Sequence, residues 1–580
     1  MFSNRDLIQR LRQYVQNESE AQSQALERQW SRPLVERVAR GWAIEGLTIV
    51  KVEKTLIKLH CGTNESRFRE GDLLLLHRGN PHDSNALHVE LQFDGETELE
   101  VSLIRGNTVF LLANPDEWII DQDFFDSSQF YLSALDTAAD SLRGRSIILP
   151  LLQGSLTPKM DYARYVRASE AAAEAGLNES QVESIAQAYA VDLIHMIQGP
   201  PGTGKTLMLA HLAKLLVADG KRVLVTALTH RAIHNALNKI EQVDNSIAVC
   251  KVGDPRHAGD LKVPNFSHFH ESNFGDLSGG YVVGATPFSL QSSRLANVEF
   301  DVVLFDEASQ ITLPLAIMGM LAANKYIFIG DENQLPPVSV FSEQEMAQTS
   351  IFGFLAGRGN ESLLNITYRL NDILTDWPSR TFYQSELIPS PQAAKRRLKL
   401  SNQSTPWDFV LDPSAPAVFV DICQQNTTVK SYREAEVVVE LLLSLLQHGL
   451  TPDEIGVVVS YRAQSRVIRS MLRHTLDDEQ ILNRLVVDTV ERMQGQEREV
   501  VLVSFATSSP AFAAQLADFL FQPQRLNVAV TRPKTKLILI GSHHILDAEK
   551  VNPAQAESVA ILRSLMENCL YLTIPDGTLV

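Results

Sequence analysis

The chain has 580 residues, 44% of them apolar, and its 69 acidic and 52 basic residues give a formal net charge of −17. This length accommodates about four domains, each able to bury its own core. The acidic balance argues against a protein that coats nucleic acid electrostatically, so any nucleic acid must be held in a local channel.

The cysteines and the apolar runs exclude several classes of protein. Four cysteines are scattered along the chain, Cys61, Cys250, Cys423 and Cys569. They lack the paired spacing of a zinc module, an iron-sulfur cluster or a disulfide framework, and most are expected to be buried small hydrophobes. No run reaches the roughly 18 apolar residues of a membrane span, and the N-terminus lacks the apolar core of a signal peptide. We expect a cytoplasmic protein with no membrane partner.

The first part of the chain predicts a helix, a small β-barrel and a second helical region. Residues 4–30 form a long polar helix, with Leu7, Leu11 and Tyr14 at helical spacing. Between residues 42 and 112, short alternating runs at 47–59, 72–77, 86–93 and 98–104 are separated by glycine-containing turns. We expect a helical stalk at 1–40, an accessory β-barrel at 41–115 and a helical stalk or connector at 116–176.

From Ile194 onward, apolar strands alternate with helical stretches, which is typical of a parallel sheet. Two such blocks are visible, at 194–359 and 417–542, and residues 398–416 are the most linker-like stretch. The sequence therefore predicts an α/β fold with two parallel-sheet domains.

A phosphate-binding loop opens the first block. A buried strand at 195–198 precedes the loop, and a helical stretch at 207–217 follows it. The loop consists of Gly199, Pro200, Pro201, Gly202, Thr203, Gly204, Lys205 and Thr206. Its glycines let backbone NH groups wrap a phosphate, while Lys205 reaches the outer phosphates and the Thr206 hydroxyl binds magnesium. The loop alone predicts an ATPase or GTPase, and a glycine turn without nucleotide is the weaker alternative.

An acidic pair supplies the second half of this chemistry. Asp306 and Glu307 follow the apolar strand 301–305, about a hundred residues after the loop. Asp306 would hold magnesium through water, and Glu307 would orient or deprotonate the attacking water. A solvated turn is the alternative reading of two adjacent acids.

Further segments extend the pattern over residues 177–542. In chain order they are Leu177–Gln181, Val223–Leu237, Val283–Pro287, Asp306–Gln310, Gly330–Val338, Ile366–Leu370, Val487–Glu497 and Leu526–Arg532. They resemble the adenine-reading glutamine motif and motifs Ia, Ic, II, III, IV, V and VI of superfamily 1 helicases. The resemblance is to the branch that contains the nonsense-mediated-decay helicase and the replication nuclease-helicase. The complete ordered set is far more specific than any single motif.

The resemblance implies two RecA-like motor domains, expected at 177–360, which binds ATP, and at 361–580. It implies that Gln181 reads adenine, Tyr368 stacks on the base and Glu497 bonds the ribose. It also implies that Gln334, Arg369 and Arg532 surround the γ-phosphate. The residues implied to touch the nucleic-acid backbone are Thr229, His230, Thr286 and Thr489. The chain departs from the family at Thr367, Leu370 and Glu332, where Gln, Met and His are usual.

Physical reasoning supports this arrangement independently. A transferring phosphoryl group needs cations beyond Lys205, and arginine supplies forked donors that lysine cannot. If Arg369 and Arg532 both meet the phosphate held by the first block, ATP lies between the domains and hydrolysis opens and closes the cleft. The alternative for each arginine is a surface ion pair.

We therefore expect an ATP-dependent helicase or translocase that uses ATP and Mg²⁺ and moves on single-stranded DNA or RNA. The resemblance implies 5′ to 3′ movement. The alternative is an ATP-gated single-strand clamp or nucleoprotein remodeller that does not unwind. A protein-remodelling or signalling ATPase would leave motifs Ia, Ic, IV and V unexplained. The N-terminal barrel is similar in layout to the accessory domain of the decay-helicase branch, and an unrelated partner-docking domain is the alternative.

Overall fold

The computed structural model describes residues 4–62, 64, 66–68, 71–95, 97–340, 349–476, 478–516, 519 and 521–574. The chain divides into two compact units, one formed mainly by Arg5–Asp136 and the other by most of the remaining chain. Among the described residues, no helix is both long and apolar enough to cross a membrane.

The first unit contains a closed six-stranded barrel. Its helices are α1 (Asn4–Trp30) and α2 (Leu34–Ala39), and its strands are β1 (Ala43–Glu53), β2 (Leu56–His60), β3 (Leu73–His77), β4 (Leu87–Asp94), β5 (Glu98–Arg105) and β6 (Trp118–Gln122). The strand order around the barrel is β1-β2-β5-β4-β3-β6. The predicted run 47–59 divides into two strands at Lys54, whose φ of 54° forms the turn. The predicted barrel is confirmed.

The strand that closes the barrel, β6, lies beyond residue 115, the predicted end of the barrel. β6 pairs with both β1 and β3, and its Asp121 is fully buried. Asp121 accepts a hydrogen bond from the buried guanidinium of Arg37, and its Oδ2 lies 2.9 Å from His77 Nε2. Burial without a partner would be costly for this carboxylate, so the ion pair fixes β6 in the barrel wall.

Helices connect the barrel to the first parallel sheet. They are α3 (Ser128–Asp140), a π-helical turn (Gly144–Ile148), α4 (Leu149–Leu152), α5 (Tyr162–Glu174) and α6 (Glu179–Ala190). Asn178 caps α6, and its side chain and that of Gln181 bond each other's backbone NH groups in a capping box. The cap fixes the start of the helix that carries Gln181.

The first parallel sheet has eight strands. They are β7 (Ile194–Gln198), β8 (Arg222–Thr226), β9 (Val249–Val252), β10 (Asn265–Phe266), β11 (Tyr281–Gly284), β12 (Val302–Phe305), β13 (Lys325–Gly330) and β14 (Glu361–Leu363), in the order β10-β9-β11-β8-β12-β13-β7-β14. The helices are α7 (Lys205–Ala218), α8 (His230–Val243), α9 (Pro287–Leu290), α10 (Leu313–Met320) and α11 (Ile351–Leu355). β14 pairs with β7, so this sheet includes residues just past the expected boundary at 360.

The second parallel sheet has six strands. They are β17 (Ala417–Asp421), β18 (Ile455–Val459), β19 (Val486–Thr489), β20 (Arg498–Ser504), β21 (Pro533–Gly541) and β22 (Leu570–Thr573), in the order β19-β18-β20-β21-β17-β22. A two-stranded pair, β15 (Ile366–Thr367) and β16 (Ile388–Pro389), precedes it. Its helices are α12 (Asp372–Phe382), α13 (Pro391–Ala394), α14 (Asp408–Leu411), α15 (Tyr432–Gln447), α16 (Arg462–Thr475), α17 (Glu479–Arg484), α18 (Pro510–Gln515), α19 (Pro523–Val530), α20 (Ala548–Val551) and α21 (Ala556–Glu567).

Helices cover both faces of the second sheet. Successive residues of β20 point alternately into two apolar cores, with Val501 and Val503 in one and Val500 and Leu502 in the other. The stretch 398–416, expected to be linker-like, contributes the buried Trp407 to one of these cores, so it is partly packed. Two parallel sheets of this kind are RecA-like domains, which confirms the predicted fold class.

Candidate nucleotide and nucleic-acid site

The phosphate loop joins β7 to α7 and is shaped by glycines. Gly202 and Gly204 have φ angles of 76° and 81°, in the left-handed region that favours glycine. A Cβ atom on Gly202 would lie 2.5 Å from the Cβ of Arg369, so a larger residue does not fit. α7 begins at Lys205, and its N-terminal NH groups and dipole favour an anion at the loop. The loop is therefore built to bind phosphate.

The predicted lysine lies against the same loop. Lys205 Nζ donates a hydrogen bond to the carbonyl of Gly199. A Cβ atom on Gly199 would lie 2.3 Å from Lys205 Cγ, so glycine at this position leaves room for the lysine side chain. Thr203 Oγ1 donates to the carbonyl of Pro200 at 2.8 Å and holds the turn closed. Thr206 follows in the first turn of α7 and is half-buried.

Asp306 lies at the carboxyl end of β12 and is 5% exposed. Burial raises its pKa, the neighbouring charge of Glu307 raises it further, and Lys205 opposes the shift. A carboxylate that is costly to ionise is stabilised by a nearby cation, and carboxylate and hydroxyl oxygens are suitable donors for Mg²⁺. Asp306 and Thr206 therefore fit a magnesium ion.

Glu307 has an unusual backbone conformation. Its φ of 51° and ψ of 41° place it in the left-handed region, which costs a non-glycine residue roughly 1–2 kcal/mol. The following residues Ala308–Gln310 form a 3₁₀ turn that begins at this point. Such strain concentrates at functional sites, where the surrounding structure holds a side chain in a required direction.

Gln334 belongs to a buried hydrogen-bonded cluster around Asp331. Gln334 is 4% exposed, and its Nε2 donates to Asp331 Oδ2 at 2.6 Å. Gln198 Nε2 donates to Asp331 Oδ1 at 2.6 Å, immediately before the phosphate loop. Tyr383 OH donates to Asp331 Oδ2 at 2.8 Å. Asp331 thus holds Gln334 in a fixed orientation beside the loop.

Arg369 lies between the phosphate loop and the second sheet. The NH of the preceding residue, Tyr368, donates to the Gly202 carbonyl at 2.8 Å. Arg369 Nε donates to Glu497 Oε2 at 3.0 Å, and its Nη1 donates to the Thr531 carbonyl at 3.0 Å. Arg369 therefore contacts both RecA-like domains.

Arg532 is almost completely buried, with 2% exposure. Its Nε donates to the Val528 carbonyl at 2.8 Å, and its Nη1 donates to the Gln496 carbonyl at 3.3 Å. Burial and the charge of Arg369 lower the pKa of Arg532 to about 9, while Glu307 opposes the shift. Arg532 thus remains a cation at neutral pH, and Arg369 and Glu307 both lie within its electrostatic reach.

Glu497 is already paired in this structure. It accepts from Arg369, and its Oε1 lies 2.9 Å from Lys534 Nζ. Burial alone would raise its pKa, but these two cations outweigh burial and lower it. A ribose would therefore meet a carboxylate that also positions Arg369.

Gln181 and Tyr368 are linked near the loop. Gln181 is 2% exposed, its Nε2 donates to the Thr203 carbonyl at 3.0 Å, and its Oε1 accepts from Asn178 NH at 3.2 Å. Asn178 Nδ2 donates to Tyr368 OH at 2.8 Å, and the Tyr368 side chain is 41% exposed. Because a primary amide has two NH donors, Gln181 retains one for a base.

Thr229 and Thr286 follow β8 and β11, which are neighbours in the first sheet. Both residues are helix N-caps, and Thr229 Oγ1 accepts from the Ala232 NH at 3.2 Å. Thr286 Oγ1 lies 3.1 Å from Ser289 Oγ. The two residues are thus brought to one edge of the sheet, beside helix N-termini that suit a phosphate.

The other two candidates are Thr489, which is buried, and His230, which is half-buried like Thr286. The ring of His230 stacks on His257, with centroids 4.6 Å apart. Burial and the charge of Lys251 lower the pKa of His230 to about 3, so the ring is neutral. Thr489, at the end of β19, is 6% exposed, and its buried Oγ1 has no hydrogen-bond partner within the described ranges. Neither residue supplies a cation to a phosphate.

Sequence reasoning assigned no role to Asp331, Tyr383 or Asn527, which the structure brings together. Asp331 lies inside the third motif, but only its neighbour Gln334 was singled out. Asn527 Nδ2 donates a hydrogen bond to Tyr383 OH at 2.8 Å, although the two residues lie 144 positions apart and no local spacing links them. Buried hydrogen bonds between distant residues leave no periodic signal in a sequence.

A phosphate loop after β7, an acid pair after β12 of the same sheet and two arginines beside a second parallel sheet define a P-loop nucleoside triphosphatase of the RecA-like motor class. Two family profiles, both described as AAA domain, match residues 176–348 and 347–544. These matches, together with the relatives below, support a superfamily 1 helicase of the DNA2-like branch.

Three relatives illustrate the similarity. The DNA replication ATP-dependent helicase/nuclease DNA2 of Saccharomyces cerevisiae is 30% identical over 432 residues, 69% of this chain and 28% of that protein. DNA2 of Mus musculus is 30% identical over 407 residues, 63% of this chain and 37% of that protein. The DNA polymerase alpha-associated DNA helicase A of Schizosaccharomyces pombe is 27% identical over 439 residues, 63% of each chain. The chain thus spans less than two thirds of the length of each.

Proposed function

We propose that this protein is an ATP-dependent helicase that moves 5′ to 3′ on single-stranded nucleic acid, with DNA as its main substrate. The observation that carries the proposal is the position of Arg369, which contacts the phosphate loop and the second domain at once. A nucleotide held by residues of two domains couples its hydrolysis to their relative movement. Such coupling is what a motor requires.

Nucleotide binding uses the loop and a small adenine site. The loop NH groups, the α7 N-terminus and Lys205 bind the phosphates. The free NH of the Gln181 amide bonds the base, and the exposed ring of Tyr368 stacks on it. Glu497 bonds the ribose from its position beside Arg369.

Hydrolysis uses the acids and the arginines. Asp306 and Thr206 hold Mg²⁺, which when bound neutralises phosphate charge. Glu307 orients the attacking water and removes its proton, and Gln334 helps to position that water. Arg369 and Arg532 stabilise the negative charge that develops on the γ-phosphate.

The single strand crosses the carboxyl-terminal edges of both sheets. Thr229, Thr286 and Thr489 lie at the ends of parallel strands, and His230 adds a neutral ring donor. Hydroxyl and backbone NH donors hold phosphates one at a time and carry no base specificity. Because few Lys or Arg residues are involved, affinity should decrease only gently with salt, by a slope of about 0.7 per cation contact.

The names of the relatives support DNA as the substrate. Each of the three relatives above is named as a DNA helicase or a DNA replication helicase. The 5′ to 3′ direction follows from the family resemblance. Single-stranded RNA offers the same backbone and stacking contacts, so it is the comparison substrate in the test below.

A strand-displacement assay tests the proposal. A duplex with a 5′ single-stranded DNA tail, its 3′-tailed counterpart and the matching RNA duplexes are incubated with ATP and Mg²⁺. We expect the 5′-tailed DNA duplex to be opened first, and Glu307→Gln protein to open none of them. Unwinding of the 3′-tailed duplex alone would contradict the direction. If single strands stimulate hydrolysis but no duplex is opened, the protein is a clamp or remodeller instead.

A further inference from the structure

Tyr383 is a buried tyrosine between the two RecA-like domains, and the mechanism above does not use it. It follows α12 directly and is 4% exposed. Its hydroxyl lies 2.8 Å from Asp331 Oδ2 and 2.8 Å from Asn527 Nδ2. Asp331 is in the first domain, just after β13, and Asn527 is on α19 in the second.

The surrounding donors fix the direction of these hydrogen bonds. Asp331 already accepts from Gln198 Nε2, Gln334 Nε2 and the NH of Asn333. A carboxylate that receives these donors is an acceptor, so the Tyr383 hydroxyl donates to it. The amide Nδ2 of Asn527 can only donate, so the same hydroxyl accepts from it. One phenol group therefore joins the two domains in a directed chain.

This series of hydrogen bonds reaches the nucleotide site at both of its ends. At one end, Gln198 precedes Gly199, the first residue of the phosphate loop, and Gln334 shares the Asp331 carboxylate. At the other end, Asn527 lies on α19, and Arg532 follows that helix and bonds its Val528 carbonyl. Hydrogen bonds thus connect the phosphate loop to the helix that precedes Arg532, so a movement of the loop can be transmitted to that arginine.

We infer that Tyr383 is a positioning residue that couples the phosphate loop to the helix preceding Arg532, so that Arg532 engages only when the domains are closed. The inference rests on the proposed function. α12 packs in the core of the second domain through Leu374 and Trp377, so opening of the cleft must separate Tyr383 from Asp331. Leaving these buried groups unpaired is costly, and the closed arrangement satisfies them.

The simpler reading is that Tyr383 is a core tyrosine with no role in turnover. Tyr326 supplies a matched control because it is also fully buried, and its hydroxyl donates to the Ala323 carbonyl at 2.7 Å. That bond lies within one domain, at the opposite end of β13 from the loop. Tyr383→Phe and Tyr326→Phe each remove one buried hydroxyl, but only the first breaks a contact between domains.

The test measures ATP turnover of the two variants at saturating single-stranded DNA, together with thermal melting. We expect Tyr383→Phe to lower kcat roughly tenfold, with the KM for ATP changed by less than about twofold, because the nucleotide-binding contacts persist. Tyr326→Phe should melt at a temperature close to that of Tyr383→Phe but retain wild-type kcat. A Tyr383→Phe protein with wild-type kcat per folded molecule would overturn the inference.

A second variant breaks the same series of hydrogen bonds on the side of the second domain. Asn527→Ala removes the donor to Tyr383 and a bond to the Asn333 carbonyl at 2.7 Å. We expect it to lower kcat similarly, and the double variant with Tyr383→Phe to lower kcat no further. Additive losses would contradict a shared route, and Asn527→Ala decides the question if Tyr383→Phe does not fold. If single strands fail to stimulate the wild type, the proposed function fails, and unstimulated turnover of the same variants tests the coupling.

Discussion

Substitutions of Arg532 distinguish a catalytic role of this cation from a purely structural one. A helicase arginine that contacts the γ-phosphate contributes about 10³ to hydrolysis, equivalent to about 4 kcal/mol of transition-state stabilisation. Arg532→Ala also removes hydrogen bonds to the Val528 and Gln496 carbonyls, each worth roughly 1.5–3 kcal/mol to a charged donor. We therefore expect Arg532→Ala to lose both stability and rate. Arg532→Lys keeps the charge and should lose less stability, but without the forked donors it should still lose most of the rate.

The assay compares ATP turnover at saturating single-stranded DNA with the folded fraction measured by circular dichroism. Arg469→Ala is the matched control because Arg469 Nε and Nη2 both donate to the Val487 carbonyl at 3.2 Å, without contact to the loop. It should lose stability and keep its rate per folded molecule. If Arg532→Lys retains a rate within about threefold of wild type, the arginine is structural and the reasoning is refuted.

Lys205→Ala should abolish hydrolysis with little effect on thermal melting, because the loop glycines still close; turnover within about tenfold of wild type would contradict this. Glu307→Gln should bind a fluorescent ATP analogue normally and lose turnover, and near-normal turnover would exclude Glu307 as the base. Asp121→Ala should destabilise the barrel unit by about 3–5 kcal/mol in urea unfolding, because it leaves the buried Arg37 cation unpaired; a loss below about 1 kcal/mol would contradict the ion-pair account. Burial, together with Lys325, lowers the pKa of His195 to about 4. The pKa of His195 is thus lower in the folded than in the unfolded protein, so the unfolded state binds the proton first as the pH falls. The free energy of unfolding is therefore full above pH 6.5 and decreases by about 3 kcal/mol as the pH falls toward 4. His195→Asn should remove that loss in urea titrations across this range.

Local motifs made the phosphate site predictable. The loop at 199–206 and the acids Asp306 and Glu307 follow buried strands, and strand ends determine where such side chains meet. The left-handed backbone of Glu307 was not predictable, because φ depends on the packing of the following turn.

The barrel shows where periodicity stops being informative. Its first five strands lie within the predicted alternating region, but β6 has the burial pattern of four consecutive buried residues. A short apolar run of this kind cannot be distinguished from a helix segment by its period. Barrel closure requires the long-range pairing of β6 with β1 and β3, which no local pattern contains.

The contacts between the two RecA-like domains were only partly predictable. Family resemblance assigned Arg369 and Glu497 separate roles toward ATP, whereas the structure pairs them at 3.0 Å across 128 residues. Tyr383 carried no motif at all. The partner of a side chain at a domain boundary lies on the opposing surface, which is formed by residues distant in sequence. No local sequence pattern identifies that partner.

Stimulation of ATP hydrolysis by a single strand tests the central claim most directly. The initial rate of phosphate release is measured with ATP and Mg²⁺ alone, with single-stranded DNA and with single-stranded RNA, with Lys205→Ala protein as the blank. We predict that single-stranded DNA raises the rate at least roughly tenfold, because a strand across both domains favours the closed cleft in which Arg369 and Arg532 act. A rate that neither polymer changes would contradict the assignment of this chain as a nucleic-acid motor.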